Sequence, residues 1–263
     1  KNLKSLITSS VKRQMISDVP LGAFLSGGID SSTIVSLMQS QSSKPIKTFT
    51  IGFNEKGFDE AKYAKSIAKH LGTDHTELYV DADSAMNVIP DMHSIYCEPF
   101  ADPTQIPNYI VSKLANKDVK VALSGDGGDE LFAGYSRYNH IHNLWKKLNY
   151  LHPSIRNMIS KSLKFIFKQS IYTNYESDKL NYFSKRIVSG SDVLEYKKID
   201  QLYSHVITQI PYSEEVVIDG FKKDSKLDHL KPEFGDISAI ELMMATDTVN
   251  YLPDDILTKV DRA

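Results

Sequence analysis

Two short glycine-rich stretches hold most of the residues that could do chemistry. The first is Leu25-Ser26-Gly27-Gly28-Ile29-Asp30-Ser31-Ser32 and the second is Ser124-Gly125-Asp126-Gly127-Gly128-Asp129-Glu130. In the first, adjacent glycines let the backbone bend sharply and let a ligand come close with no Cβ in the way. Ser26, Ser31 and Ser32 add hydroxyl donors suited to phosphate oxygens. Asp30 does not suit a pure anion site, because a carboxylate beside phosphates needs a cation between them, and Mg²⁺ is the usual one. The second stretch crowds Asp126, Asp129 and Glu130 onto a tight turn, where they repel unless something positive joins them. Taken alone, it reads equally as a solvated acidic loop with Asp129 and Glu130 as helix caps. If Asp129 faces Asp30 across a crevice, the pair can hold Mg²⁺ against phosphates.

The elements around these stretches set where they stand. Leu21 to Leu25 is an apolar run that predicts a buried strand, and Ile34, Val35, Leu37 and Met38 mark the apolar face of a helix. The first stretch is therefore a strand-to-helix turn. The opening amides of that helix lack partners and carry the positive end of its dipole, a natural seat for phosphate. No Walker A spacing is present. Further strands are predicted over 46–53, 76–80 and 119–123, and helices over 3–16, 59–71, 83–96 with a break at Pro90, and 105–116. A helix is predicted from Leu131. Strands alternating with helices mean a parallel sheet covered on both faces. Ligands of such sheets sit at the carboxyl ends of the strands, where both glycine turns fall, so the two can line one crevice. After about Tyr138 the pattern turns to helical groupings, such as Leu163-Lys164-Phe165-Ile166-Phe167 and Val216-Val217-Ile218, and a buried helix is predicted over 237–252. The lysines of 161–168 read as a solvated helix with a buried stripe.

Composition narrows the class. The 263 residues hold 41% hydrophobic residues, enough for a proper core, and 31 Lys+Arg balance 33 Asp+Glu. Nothing global argues for a nucleic-acid or membrane partner. The lone Cys97 excludes an intrachain disulfide and fits a reducing, cytoplasmic setting. A chain that starts at Lys1 and stops at Ala263 without a polar tail reads as an internal piece of a longer protein.

The Ser26-Gly27-Gly28-Ile29-Asp30-Ser31 motif resembles the pyrophosphate loop (PP-loop) of the ATP pyrophosphatases. With Asp18 to Gly22, Thr48 to Phe53, Leu71 to His75, Glu98 to Asp102, Ser124 to Tyr135 and Leu252 to Arg262, the chain resembles the synthetase domain of glutamine-dependent asparagine synthetases. The likeness is dense over residues 10–140 and returns at 236–263. It implies an α/β fold, a parallel sheet between helices of the adenine nucleotide alpha hydrolase type over 1–138. A mainly helical part, 139–263, would belong to the same synthetase domain and be cut short at its end, with an N-terminal glutaminase domain absent from this chain. The implied chemistry is adenylation of the aspartate side chain by ATP with release of pyrophosphate, then attack by ammonia to give asparagine and AMP.

By the same resemblance, Ser26, Gly27, Gly28, Asp30 and Ser31 hold pyrophosphate, and Asp30 and Asp129 hold Mg²⁺. Leu25, Ile51, Ser124 and Gly125 touch the adenosine, and Asp126 faces the acyl-adenylate, a position where some relatives carry Glu or Tyr. Ser26, Asp30 and Asp126 are the residues expected to act on the reacting groups. A homodimer stays open. Relatives place a catalytic lysine beyond residue 263, so the piece alone is expected to be inactive and unable to use glutamine. His75 reads as structural, Cys97 as a packed thiol, and Arg137 as a phosphate ligand or a carboxylate's partner. Glu98 and Asp102 could reach the acceptor or fix their proline-rich loop, and Lys259 and Arg262 could brace the domain. Rival readings are an amidotransferase acting on a sugar acid or peptide carboxylate, another ATP pyrophosphatase (tRNA-modifying or NAD-forming), and a non-catalytic nucleotide-binding module.

Overall fold

The computed structural model describes residues 2–53, 60–97, 102–173, 187–188, 190–208 and 236–263. Glu98 to Ala101 and Val216 to Ile218, singled out above, lie outside the described residues. Among the described residues the chain forms two compact units, Lys1–Leu131 together with Asn250–Ala263, and Phe132–Val249.

The first unit is built on four strands, β1 (Leu21–Phe24), β2 (Lys47–Phe53), β3 (Asp74–Val80) and β4 (Val121–Leu123). They lie in the order β3-β2-β1-β4, and every pairing is parallel. α1 (Asn2–Gln14) precedes them, and the helices that join them are α2 (Ile29–Ser40), α3 (Ala61–Leu71), the short α4 (Ala82–Met86) and α5 (Met92–Tyr96), and α6 (Gln105–Ala115). Side chains alternate across the sheet. Ala23 and Leu25 pack with Val11, Val35, Met38, Ala64 and Ala68 on the face covered by α1, α2 and α3. Phe24, Phe49 and Ile51 pack on the other face with Val111, Leu114 and Ala115 of α6. The parallel sheet covered on both faces is thus observed. Gly72 closes α3 in the left-handed region, φ 72°, donating to Ala68 O at 2.9 Å.

Proline interrupts two of the predicted helices: the break expected at Pro90 is observed, and the second helix ends sooner than expected. The helix predicted over 83–96 is two short helices either side of a 3₁₀ turn, Ile89–Asp91, which holds Pro90. The helix predicted over 237–252 stops earlier, as α11 (Ala239–Val249). A π turn with Pro253 near its start, Leu252–Ile256, follows it, and then α12 (Leu257–Arg262).

The second unit holds α8 (Ser136–Leu148), α9 (Pro153–Thr173), α10 (Ile199–Ile207) and α11, after the short α7 (Gly128–Phe132) that straddles the division. Tyr138, Ile141, Leu148, Leu202, Tyr203 and Met243 form its core. The lysine-rich segment is a helix exposed on most of its surface, as expected, with one covered side that runs through Arg156, Ser160, Leu163 and Phe167. Phe165 is 76% and Ile166 58% exposed, while Leu163 and Phe167 are half-buried. Adjacent helical residues point about 100° apart, so consecutive apolar residues cannot share one face.

Candidate active site

Strand order decides where a ligand can sit. From β1 the chain moves outward to β2 and β3, then crosses back to place β4 on the far side of β1. The crevice at such a reversal opens outside the carboxyl ends of the two diverging strands. Here those strands are β1 and β4, paired from Leu21 opposite Val121 to Ala23 opposite Leu123. The chain leaves them side by side, one into Ser26-Gly27-Gly28 and the other into Ser124-Gly125-Asp126.

The two turns touch. A Cβ on Gly125 would stand 2.6 Å from Ser31 N and 2.9 Å from Asp30 C. A Cβ on Gly128 would stand 2.6 Å from Asp30 Cγ and 2.7 Å from its Oδ2. At Gly125 the neighbours include α2 backbone, so glycine is required there, whereas at Gly128 the neighbour is the Asp30 carboxylate, which a Cβ would displace. Gly27 has φ +85°, and a Cβ there would meet Tyr63 Cβ at 2.7 Å and Ala64 N at 2.8 Å, so α3 backs the first turn.

The serines of the first turn tie it together. Ser26 Oγ accepts from Gly28 N at 3.2 Å and lies 3.0 Å from Ser31 Oγ. Ser31 Oγ accepts from Ser26 N at 3.2 Å, and Ser32 Oγ donates to Gly28 O at 2.6 Å. Gly28, the residue before α2, has extended backbone and gives the helix no side-chain cap, which leaves that end open to an outside acceptor. Ser26 and Gly28 are exposed, while Gly27, Asp30 and Ser31 are half-buried. Leu25 is buried, 1% exposed, and donates its N–H to Phe49 O at 3.0 Å. Ile51, Ser124, Gly125 and Asp129 are half-buried and Asp126 is exposed. Asp129 follows the glycine on which the Asp30 carboxylate rests.

Asp30 and Asp129 offer hard oxygen ligands of the kind Mg²⁺ takes. Among the described residues no three His, Cys, Asp or Glu side chains gather around a possible metal. Oxygen donors of this type are the kind Mg²⁺ takes alongside phosphate and water. A separate cleft of about 510 Å³, lined by Phe24, Lys113, Asn116, Lys120, Val260 and Ala263 among others, contains none of these residues.

The asparagine synthase family model matches residues 2–263. The chain belongs to the asparagine synthase family. It is 46% identical over 138 residues to glutamine-hydrolysing asparagine synthetase 1 of Bacillus subtilis, covering 52% of this chain and 22% of that protein. It is 33% identical over 151 residues to asparagine synthetase B of Escherichia coli, covering 51% of this chain and 26% of that one. The matched part is thus about a quarter of each curated relative's length. A solved NH3-dependent NAD synthetase from Campylobacter jejuni aligns over 75% of the chain and 96% of its own, with 14% identity and a TM-score of 0.37, too distant to carry weight.

For this asparagine synthase family chain, other side chains noted in the sequence find definite partners. Asp102 pairs with Lys259, 2.6 Å from Oδ2 to Nζ. Burial pushes Asp102 up, but the Lys259 ammonium and the Thr104 donors outweigh it and hold the carboxyl below its ordinary range. Arg137 donates to Asp247 Oδ2 at 2.6 Å and lies over the Tyr135 ring, which assigns it to a carboxylate. His75 is the second residue of β3, with Nδ1 2.9 Å from Thr48 Oγ1, and burial holds its imidazole below the ordinary range. Cys97 is exposed with φ 63° at the end of α5, so it is not a packed thiol. The Asp102–Lys259 and Arg137–Asp247 pairs span 157 and 110 residues. No local pattern in the sequence reports either.

Proposed function

We propose that this chain is the ATP-binding synthetase part of a glutamine-hydrolysing asparagine synthetase. The observation that carries the proposal is the contact of the two glycine turns at the strand-order reversal, with Asp30 lodged against Gly128.

On this reading the Ser26–Gly28 backbone and the first amides of α2 receive the β and γ phosphates of ATP. Leu25, Ile51, Ser124 and Gly125 border the adenosine. Asp30 and Asp129 would hold Mg²⁺, which when bound offsets the charge that builds on departing pyrophosphate. An oxygen of the aspartate side chain attacks the α-phosphorus, and the bond to the β-phosphate oxygen breaks. The loop amides hold the pyrophosphate as it leaves, and Ser26 and Ser31 hydroxyls turn from each other to its oxygens. Asp126, exposed on the second turn, faces the acyl-adenylate. Ammonia then attacks the acyl carbon, AMP leaves with the carboxylate oxygen, and the nitrogen loses a proton. A glutaminase domain in the full-length protein supplies that ammonia, and the reaction belongs to the cytoplasm. The supports are the family membership, the names of the matching relatives and the meeting of the two glycine turns at the strand-order reversal.

The test is pyrophosphate release by the full-length protein given Mg-ATP and ammonium, with and without aspartate, beside Asp30→Ala. Aspartate-dependent release that forms asparagine and is lost in Asp30→Ala supports the reading. Release that ignores aspartate, from protein that binds ATP, removes aspartate as substrate and moves the acceptor to sugar or peptide carboxylates.

A further inference from the structure

Lys259 of α12 is only 6% exposed. Its ammonium donates to Asp102 Oδ2 and to Thr104 Oγ1, both at 2.6 Å. The other Asp102 oxygen accepts from the Thr104 amide and hydroxyl, both at 2.8 Å. Tyr96, 3% exposed, reaches the same place, its hydroxyl 3.4 Å from the carbonyls of Gln105 and Lys259. Lysine is almost never buried unless a carboxylate and further acceptors replace its water. Here they do, and the end of α5, the start of α6 and the middle of α12 are tied at one point.

That point stands on the ligand side of the sheet. α6 delivers the chain to the amino end of the parallel strand β4, so its first turn lies towards the carboxyl ends. Leu252, which opens the π turn ahead of α12, lies against the second glycine turn, its methyls 3.8 Å from where a Gly127 Cβ would be. The segment 252–259 therefore has one end on Gly127 and the other pinned by Lys259.

We infer that Lys259 is a positioning residue for the second glycine turn, setting through segment 252–259 where Asp126 and Asp129 stand. The inference rests on the reading of that turn as ligand-facing, and it gives Lys259 no contact with substrate.

The test uses the full-length protein. Lys259→Met removes the ammonium and keeps the stem, Lys259→Arg keeps the charge, and Lys259→Met with Asp102→Asn also removes the carboxylate charge that the first change strands. In ligand-free Lys259→Met protein, amide hydrogen exchange over residues 124–131 should quicken about fivefold, and less in Lys259→Arg. In acceptor-dependent pyrophosphate release, kcat should fall about tenfold with KM for ATP held within about twofold. Lys259→Arg should recover most of that loss, and the double variant should fold yet stay slow. A folded Lys259→Met protein with unchanged exchange and unchanged kcat overturns the inference. Wild-type protein that releases no pyrophosphate with any acceptor overturns the proposed function instead, and the exchange measurement still decides whether Lys259 sets the turn.

Discussion

The Asp30 carboxylate rests on the α-carbon of Gly128, so close that a methyl group on Gly128 would stand 2.6 Å from Asp30 Cγ. Gly128→Ala should therefore push Asp30 off its seat while leaving the strands intact. If the chain acts as proposed, pyrophosphate release should fall by about 100-fold, as small misplacements of an acting group do, with little change in Tm. A folded variant with the wild-type rate would show that the position of Asp30 is unimportant.

Gly27→Ala tests the first turn from behind. The new Cβ would meet Tyr63 and the backbone nitrogen of Ala64, and φ +85° is a region that Ala resists. A loss of at least about 1 kcal/mol is expected, read from urea denaturation. A variant as stable as wild type would mean the turn relaxes without cost.

Asp129→Asn tests metal binding directly. If Asp129 shares Mg²⁺ with Asp30, the Mg²⁺ concentration for half-maximal pyrophosphate release should rise several-fold, on the order of 1 kcal/mol of lost binding. An unchanged Mg²⁺ requirement would take Asp129 out of the metal site.

In the second unit, Asp247 is fully buried. Its Oδ2 accepts from Arg137 at 2.6 Å, Tyr138 at 2.7 Å and Tyr203 at 2.5 Å. Burial, then the Asp247 charge, pushes the Tyr203 hydroxyl far above its ordinary pKa, so it stays protonated and donates. Asp247→Ala strands three donors and should cost about 3 to 5 kcal/mol, seen as a fall in Tm. Tyr203→Phe, which removes one donor only, should cost about 1 kcal/mol. Equal costs for the two would refute the picture of one acceptor serving three donors.

His75 gives stability a pH dependence. Its Nε2 is buried without a partner among the described residues, and burial, partly offset by Glu77, lowers its pKa. The unfolded chain then binds a proton near the ordinary histidine value of 6.5, where the folded chain resists it. The His75 contribution is complete above that pH and is lost as pH falls towards the lower folded value. Denaturant midpoints from about pH 8 to pH 5 should fall less steeply in His75→Gln than in wild type. Parallel slopes would mean that His75 is solvated in the folded protein.

The sequence by itself determined the parallel sheet, because β-branched runs alternating with stepped apolar helices bury their faces in few other ways. It also determined that both glycine turns follow strands, since each apolar run ends directly at Ser26 or Ser124. Helix ends were legible wherever one residue's own chemistry sets them, as Gly72 does with its positive φ. Pro90 was likewise legible as a break, whereas the end of α11 short of Pro253 was not.

Only the tertiary structure decided which distant groups meet. The order β3-β2-β1-β4 brought Gly125 and Gly128 onto Ser31 and Asp30, and a different strand order with the same motifs would have kept the turns apart. The partners of Lys259, Arg137 and His75 were equally invisible in sequence. A charged or polar side chain can pair with any of many opposite groups, and the energy that chooses among them comes from burial, which exists only once the chain has folded.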